Sequence, residues 1–245
     1  MVAFFHAILY TPLYNLLVFF IDIVPGGDAG LAVIAVTLVV KIILMPLSIA
    51  AIRTQRATRA VEPELKAIKE RYKDDKEAQA KETFAVYKKY GINPFAGILT
   101  MFIQLPVIIC LYWVFRTANL PAIDAHLLYS FVHAPALVST LFLGIFAVSG
   151  HSIVLAVVTA AAQFLQAHYA MPTPPPSKED TSMQAEFGRA MSMQAKFVLP
   201  LVIGFVGYTS AAIALYFITT SVATLLQELL MRRAPAQQAS APAQQ

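Results

Sequence analysis

The stretch AVTLVVKIILMPLSIAAI, residues 35–52, decides the fold class, because it is a long apolar run with a single charge, Lys41, inside it. About 20 predominantly apolar residues are enough to cross the hydrocarbon core of a bilayer. The run extends back to Leu31, so we predict a first membrane span over residues 31–52. Lys41 then lies about eleven residues from either end, which at about 1.5 Å rise per residue is roughly 16 Å from each boundary.

The composition of the whole chain also favours a membrane protein. Of its 245 residues, 58% are hydrophobic and only 13% are charged. A soluble domain has about 45–50% apolar and about 25% charged residues. The single cysteine, Cys110, lies in an apolar run, so an intrachain disulfide is excluded and metal binding through cysteine is disfavoured.

Further apolar runs predict the remaining spans. They lie at residues 95–115, 152–170 and 197–231. The last run is too long for one span, and small and polar residues at 204–210 mark a turn inside it. We therefore predict two helices there, at about 193–209 and 210–231. The fold class that follows is an all-α polytopic membrane protein with a five-helix transmembrane core.

The N-terminal segment AFFHAILYTPLYNLLVFFID, residues 3–22, is ambiguous. It is apolar enough to enter a membrane, but His6, Pro12, Asn15 and Asp22 interrupt it. Its aromatic residues suit the headgroup boundary, where side chains with an apolar body and a polar edge collect. We favour an interfacial helix that lies on the membrane over a sixth span, and we find no pattern of a cleaved signal peptide.

The distribution of basic residues orients the chain, because lysine and arginine collect on the cytoplasmic side of membrane proteins. Residues 53–90 hold eleven of the eighteen basic and seven of the fourteen acidic residues. If this segment is cytoplasmic, five spans place 171–192 and 232–245 on the same side. Sixteen of the eighteen basic residues then lie in the cytoplasm, and only Arg116 lies outside.

The polar segment 53–94 predicts a helical hairpin with one apolar stripe on each arm. The predicted stripes are Val61, Leu65, Ile68 and Tyr72 on the first arm and Ala80, Phe84 and Tyr87 on the second. Two interpretations stay open. The hairpin is either a solvated connector whose stripes pack on each other, or a docking arm for anionic lipid or ribosomal RNA.

The chain is thus predicted to consist of nine consecutive segments. They are an N-terminal interfacial helix and turn (1–30), the first span (31–52), the cytoplasmic hairpin (53–94), the second span (95–117), an extracytoplasmic loop (118–150), the third span (151–170), a cytoplasmic proline-rich loop (171–192), the fourth and fifth spans (193–231) and a disordered tail (232–245).

A lysine deep in a membrane is costly, by about 2.5–3.5 kcal/mol on insertion scales, so Lys41 should face a polar cavity. Other polar side chains lie at compatible depths on the predicted spans. They are Thr37, Gln104, Thr159, Gln163, Thr219, Thr220, Ser221 and Thr224. If their faces converge, they form a hydrophilic recess with one positive charge, and Glu228 at the inner edge is the only acidic residue in any span. Each hydroxyl or amide taken singly is also ordinary interhelix contact.

The same inventory excludes several function classes. Ion-coupled transport usually needs an acidic residue or histidine inside the membrane, and none lies at the depth of Lys41. The sequence contains no HExxH, GxSxG or phosphate-loop motif. We therefore expect neither an enzyme nor a cofactor or metal site.

Five motifs in order resemble the YidC/Oxa family of membrane protein insertases, in a short bacterial form without the large extracytoplasmic domain. They are VTLVVKIILMPLS (36–48) with Thr37, Lys41 and Pro46; the hairpin 62–97; MFIQLPVIICLYWVF (101–115) with Gln104 and Pro106; the outer loop and third span at 141–172; and the closing span AIALYFITTSVATLLQELLMRR (212–233). Lys41 stands where the family usually has arginine, and Phe217 where it often has a second tyrosine.

The resemblance implies a function and a set of site residues. The chain would be an insertase and chaperone in the plasma (inner) membrane of a bacterium, acting without nucleotide hydrolysis. Its substrate groove would contain Lys41, Thr37, Gln104, Gln163, Thr220 and Thr224, and its substrate-sliding surface Leu105, Pro106, Tyr216 and Phe217. The implied partners are nascent membrane proteins, the lipid bilayer, the ribosome, the Sec translocon and the signal recognition receptor, with no small-molecule substrate. A small transporter or channel that uses the intramembrane lysine, and a purely structural membrane protein, are the alternatives.

Overall fold

The computed structural model of the chain describes residues 6–93, 96–117, 120–170 and 193–233. The predicted proline-rich loop at 171–192 and the part of the predicted tail beyond Arg233 lie outside these residues. The elements are α1 (Thr11–Ile23, after a π-helical turn at His6–Tyr10), α2 (Ala29–Ile43), α3 (Met45–Ala60), α4 (Glu62–Arg71), α5 (Lys76–Lys89), α6 (Ala96–Thr117), β1 (Leu141–Phe142), β2 (Phe146–Ala147), α7 (Ile153–Ala170), α8 (Leu199–Tyr208, after a π-helical turn at Gln194–Val198) and α9 (Ala211–Arg233), with short 3₁₀ turns at Pro25–Gly27 and Ala125–Leu127.

The described helices confirm an all-α, multi-pass membrane protein, apart from the two-residue strands β1 and β2. Three of them are long and apolar enough to cross a bilayer, namely His6–Ile23, Ile153–Ala170 and Ala211–Met231. The pair α2 and α3 meets the same test as one interrupted span, and Leu105–Val114 and Gln194–Tyr208 are shorter apolar helices. The predicted turn near 204–210 lies at Thr209 and Ser210, between α8 and α9.

The first span differs from its prediction as one continuous helix over 31–52. α2 ends at Ile43, Leu44 forms a turn, and α3 begins at Met45 and continues to Ala60. The cause is Pro46, which has no N–H to donate to the carbonyl of Ile42 but fits the first turn of a new helix. Lys41 consequently lies in the last turn of α2, roughly 18 Å along the helix axis from Ala29, and not at the centre of a straight helix.

The chain divides into two compact units, of which one comprises residues 1–42 and 107–229 and the other 43–106 and 230–245. The core of the first unit contains the buried faces of α1 and α2, residues 107–114 of α6 and the start of α9. Its fully buried side chains include Leu17, Val18 and Ile21 of α1 and Val33 and Val36 of α2. These apolar faces explain why α1 packs as part of this unit.

Asn15 joins α1 to the loop 120–150. Its side chain is 3% exposed, and its Nδ2 donates to the carbonyls of Thr11 and Leu127 at 2.8 Å each. Its Oδ1 accepts from the N–H of Tyr129 at 2.6 Å. The amide that interrupted the apolar run 3–22 in the sequence is therefore a buried structural contact between α1 and this loop.

Asp28 joins the same loop to the start of α2. Its Oδ1 accepts from the N–H groups of Gly30 (2.8 Å) and Leu31 (3.1 Å), which caps the helix. Its Oδ2 accepts from the N–H of Leu143 at 2.7 Å, in the turn between β1 and β2. The predicted extracytoplasmic loop thus contains a β-hairpin that is fixed to a helix end.

α7 and α8 pack closely because α8 presents glycines to α7. A Cβ at Gly204 would lie 2.8 Å from the Cβ of Ala160 and 3.1 Å from the carbonyl oxygen of Ala156. A Cβ at Gly207 would lie 3.1 Å from the hydroxyl of Thr159. Small residues at such contacts let membrane helices approach and gain packing energy.

We expect Gly204→Val to lower the free energy of unfolding by about 1–3 kcal/mol, because its methyl groups would force α7 and α8 apart. Thermal unfolding in detergent measures the change. Val202→Leu, on an exposed position of the same helix, is the matched control and should change stability by no more than about 0.5 kcal/mol. Equal stability of the two variants would contradict the close packing.

In the second unit, α4 and α5 are joined by a turn at residues 72–75 and pack on each other. Val61, Leu65, Val86 and Ile92 are buried between them, with Ala57, Ile68 and Tyr87 at the edge. The first predicted stripe is thus confirmed in Val61, Leu65 and Ile68. The second was wrong in two positions, since Ala80 is exposed and Phe84 is 57% exposed, because α5 turns Val86 inward.

An ion pair crosses between the same two helices. Lys89 Nζ lies 3.1 Å from Glu64 Oε1, and this hydrogen bond lowers the pKa of Glu64 and raises the pKa of Lys89. The stabilisation is present above the ordinary pKa of glutamate and is lost as pH falls through the lowered pKa of Glu64. It is likewise lost at high pH, as pH rises through the raised pKa of Lys89. Both side chains are exposed, so the contribution is small.

Candidate functional site

Lys41 and Thr224 form the centre of the candidate site. Lys41 Nζ donates a hydrogen bond to Thr224 Oγ1 at 2.8 Å, across 183 positions of sequence. The Thr224 hydroxyl in turn donates to the carbonyl of Thr220, one turn earlier in α9, at 2.8 Å. The ammonium group thus keeps two of its three protons for other acceptors, and a neutral hydroxyl holds its position.

Two further hydroxyls lie about one turn before Thr224 on α9. The Oγ1 of Thr220 and the Oγ of Ser221 are buried and, among the described residues, have no hydrogen-bond partner. Buried polar groups in native proteins are almost always paired, so these two hydroxyls are free to bond water or another polar group. Glu228 lies one turn beyond Thr224, on the same face of α9, and is 5% exposed.

Thr37 and Gln163 were predicted in the same recess, and the structure gives them different surroundings. Thr37 is 1% exposed, and its hydroxyl donates to the carbonyl of Val33 within α2 at 2.7 Å. Gln163 is partly exposed on α7, and no hydrogen bond joins it to Lys41 among the described residues. Thr159, one turn before it, bonds the carbonyl of Leu155 at 2.7 Å.

The predicted residues of α6 lie in the second unit. The side chain of Gln104 is outside those that the structure describes. Leu105 is 44% exposed, and Pro106 is partly buried inside the helix. Because proline has no N–H, the carbonyl of Phe102 loses its helical partner.

Tyr216 and Phe217, the other half of the predicted sliding surface, border an apolar pocket of about 180 Å³. Tyr216 is buried at 3% exposure, and its ring contacts that of Phe217 edge to face, with centroids 5.2 Å apart. The remaining lining residues come from α6, α8 and α9, and they are Ile108, Ile109, Leu111, Tyr112, Val206 and Ile213. The pocket is suited to an alkyl or aromatic group.

The arrangement holds a cation and several hydroxyls beside apolar helix faces, in a protein whose helices cross a membrane. It can bind an anionic or hydrogen-bonding group transiently and offer apolar contact nearby. Hydroxyls and one lysine at a helix end supply neither a nucleophile with its base nor a set of metal ligands.

Comparison with known proteins decides the family. The family model described as 60Kd inner membrane protein matches residues 20–238. A membrane protein insertase YidC from Oceanobacillus iheyensis is 31% identical over 211 residues, which cover 83% of this chain and 74% of that protein. The chain belongs to the YidC/Oxa family. Another YidC, from Clostridium tetani, is 29% identical over 209 residues and covers 85% of this chain and 84% of that protein.

The YidC of Haemophilus ducreyi matches differently. It is 40% identical over 107 residues, which are 44% of this chain and only 20% of that protein. YidC/Oxa proteins are insertases and not enzymes, and their clients are nascent membrane proteins. The resemblance drawn from the motifs around Lys41, Gln104 and Tyr216 is therefore confirmed at the level of the family.

Sequence reasoning missed the contacts that hold the site's surroundings. In the sequence, Asn15 is an interruption of an apolar run and Asp28 lies in the predicted turn that follows it. In the structure both are buried and accept or donate hydrogen bonds to backbone groups more than 100 residues away. The available signal was a polar residue inside an apolar run. Burial requires such a residue to find partners, although the sequence does not say which ones.

Proposed function

We propose that this chain is a membrane protein insertase and chaperone, which takes hydrophobic segments of nascent proteins into the bilayer through a hydrophilic groove. The groove is open to the cytoplasm and to lipid, and its floor is Lys41 with Thr224 and Thr220. The observation that carries the proposal is the Lys41–Thr224 hydrogen bond, with two hydroxyls one turn earlier on α9, those of Thr220 and Ser221, that have no partner within the described part of the chain. The names of the relatives supply the activity.

In this mechanism the polar tail that precedes a client's hydrophobic segment enters the groove first. Acidic residues of the tail exchange onto the ammonium group of Lys41. At about 4 Å this attraction is worth about 1 kcal/mol in water and about 4 kcal/mol at an effective dielectric constant of 20. A partly hydrated groove lies between these limits, so the tail is attracted without being trapped. Thr37 lies one turn before Lys41 with its hydroxyl donated to the carbonyl of Val33, and Gln104 and Gln163 are proposed as further polar contacts of the tail.

The hydrophobic segment then follows along apolar surface. We assign apolar contact with the segment to Tyr216 and Phe217 on α9 in the first unit and, separately, to Leu105 and Pro106 on α6 in the second unit. Transfer of apolar area out of water releases about 25 cal/mol per Å², so insertion requires no nucleotide hydrolysis. In the chaperone role, the same apolar surface stays in contact with the client's hydrophobic segment while the client folds.

We propose five core spans, in α2–α3, α6, α7, the helix ending at Tyr208, and α9, with the paired helices α4 and α5 in the cytoplasm. The positive charge of residues 53–90 supports this orientation. The membrane would be the plasma (inner) membrane of a bacterium. α1 would lie in the interface, and a sixth span is the alternative because His6–Ile23 meets the length and hydropathy test.

The paired helices would receive the incoming chain or contact the ribosome, the Sec translocon or the signal recognition receptor. The eight basic residues of 62–89 and the exposed ring of Phe84 support a docking role. A small transporter or channel built on Lys41 is the second candidate function.

Reconstitution tests the proposed function. Purified protein in vesicles receives a short single-span client with an acidic tail, and protease protection of the tail measures insertion. We expect protection to appear only with the protein present, and no solute flux through the same vesicles. Flux without insertion would favour the transporter, and neither activity would favour a structural role.

A further inference from the structure

The loop that follows α6 is unusual because a long part of it contains no charge. Residues 125–151 include no Asp, Glu, Lys or Arg, although all but the last were predicted to lie outside the membrane. Residues 53–90 of the same chain, by contrast, carry eighteen charged residues among 38. These two segments therefore have very different compositions. Only residues 53–90 have the composition of a segment that is surrounded by water.

The β-hairpin within this loop is apolar on both faces. Phe142 points inward, where its ring occupies the space that a Cβ on Gly30 would need, and Phe146 packs near the cluster of Leu155, Ala211 and Ala214. The outward residues are apolar as well. Leu141 is 44%, Leu143 60% and Ile145 72% exposed. A hairpin with one face in water normally alternates apolar and polar residues.

The hairpin is fixed at the ends of two membrane helices. On one side Asp28 at the start of α2 accepts the Leu143 N–H, and Ala29 N donates to Ser139 O at 3.0 Å. On the other side the N–H groups of Ala211 and Ala212, at the start of α9, donate to Gly150 O (3.0 Å) and Val148 O (2.9 Å). The hairpin thus lies at the depth where α2 and α9 begin.

From this placement we propose that the outer face of the hairpin, Leu141, Leu143 and Ile145, inserts into the headgroup–acyl boundary of the leaflet in which α2 and α9 begin. The occupant of this surface is lipid. The exposed apolar side chains of Ile153 and Val154 in the first turn of α7 (71% and 59%) continue into the bilayer, so the hairpin extends a surface that already faces acyl chains. Apolar side chains at this boundary gain free energy from burial without needing a polar partner.

The inference gives the hairpin a mechanical role that is separate from the groove. It would anchor the first turns of α2 and α9, and through them the helices that carry Lys41 and Thr224, at a constant depth. A protein partner is less well supported, because the outward side chains Leu141, Leu143 and Ile145 are all apolar, a partner surface in water would be expected to have a polar or charged rim, and residues 125–151 contain no charged residue for one.

Depth-dependent fluorescence tests the inference in the full-length protein in vesicles. Leu143→Cys and Ile145→Cys each receive an environment-sensitive nitrobenzoxadiazole label, and the vesicles contain lipids with nitroxides at the headgroup or at two depths along the acyl chain. Cys110 is fully buried, so it stays in place and the unsubstituted protein controls for labelling. Ala122→Cys, exposed and next to Asp124, is the water-facing control, and Val157→Cys, exposed on α7, is the acyl-facing control.

We expect labels at Leu143 and Ile145 to emit at shorter wavelength than the label at Ala122, and to be quenched most strongly by the headgroup and shallow nitroxides. The label at Val157 should be quenched most strongly by the deeper ones. Water-like emission with quenching by aqueous iodide equal to that at Ala122 would overturn the inference. Blue-shifted emission that lipid nitroxides leave unquenched would overturn it too, because the hairpin would then be covered by protein.

Discussion

Replacing Lys41 with alanine is expected to slow the insertion of clients with acidic translocated tails by at least about fivefold. The loss corresponds to the attraction of about 1–4 kcal/mol between the ammonium group and a carboxylate in the groove, at about 1.4 kcal/mol per tenfold in rate. Protease protection of the client tail, measured over time in proteoliposomes, gives the initial rate. The fold should survive, because Lys41 is partly exposed and its hydrogen bond goes to a single hydroxyl, that of Thr224.

Two controls separate charge from packing. Lys41→Arg keeps the charge and should retain most of the insertion rate, although the planar guanidinium group of arginine replaces the compact ammonium group of lysine. A client whose tail carries Asn in place of Asp should insert equally well with Lys41 or alanine. An equal loss for the acidic and the neutral tail would show that Lys41 acts on the fold, and normal insertion of the acidic tail by Lys41→Ala would remove its proposed role.

The largest effect on stability is expected from Asn15→Leu, which keeps the number and branching of the side-chain heavy atoms and removes all three hydrogen bonds. The carbonyl of Leu127 and the N–H of Tyr129 would be left without their partner. An unsatisfied buried group costs about 1–3 kcal/mol, so we expect a loss of about 2–6 kcal/mol in the free energy of unfolding. Denaturation in detergent measures it, and limited proteolysis should cut the loop 120–150 sooner.

Asp22→Asn is the matched control for this substitution. Asp22 is exposed on the same helix, and its replacement should change the stability by no more than about 0.5 kcal/mol. If Asn15→Leu were as stable as Asp22→Asn and its loop equally resistant to protease, Asn15 would not hold the loop.

The centre of the site could be predicted because its physics is local to the sequence. A lysine in an apolar run must find polar neighbours, and helical spacing places Thr220 and Thr224 on one face of α9. The depth of Lys41 and of these threonines predicted that they could meet, and the structure shows the hydrogen bond for Thr224. Thr37 shows the limit of that reasoning, because a threonine inside a helix can satisfy its hydroxyl on the preceding turn, and periodicity does not distinguish that arrangement from a bond across helices.

The features that could not be predicted depend on long-range contacts. The mean hydropathy of residues 31–52 favoured one continuous helix. A mean over the segment does not register the helix break at Pro46, which ends α2 just beyond Lys41. Asn15 and Asp28 bond to backbone groups whose positions follow only from the folded loop. The rotation of α5 about its own axis determines that Val86 is buried and Phe84 exposed. This rotation is decided by the contact with α4 and not by the pattern of apolar residues in α5.

Disulfide trapping of a client tail tests the groove most directly. A client with one cysteine in its acidic tail is inserted by variants that carry Thr220→Cys or, as the control on the exposed side of α9, Val222→Cys. Our account predicts an adduct with Thr220→Cys that appears during insertion, weakens in the Lys41→Ala background and is absent with Val222→Cys. An adduct that forms at Val222 and not at Thr220 would show that the tail crosses on the lipid side of α9, and would contradict the groove.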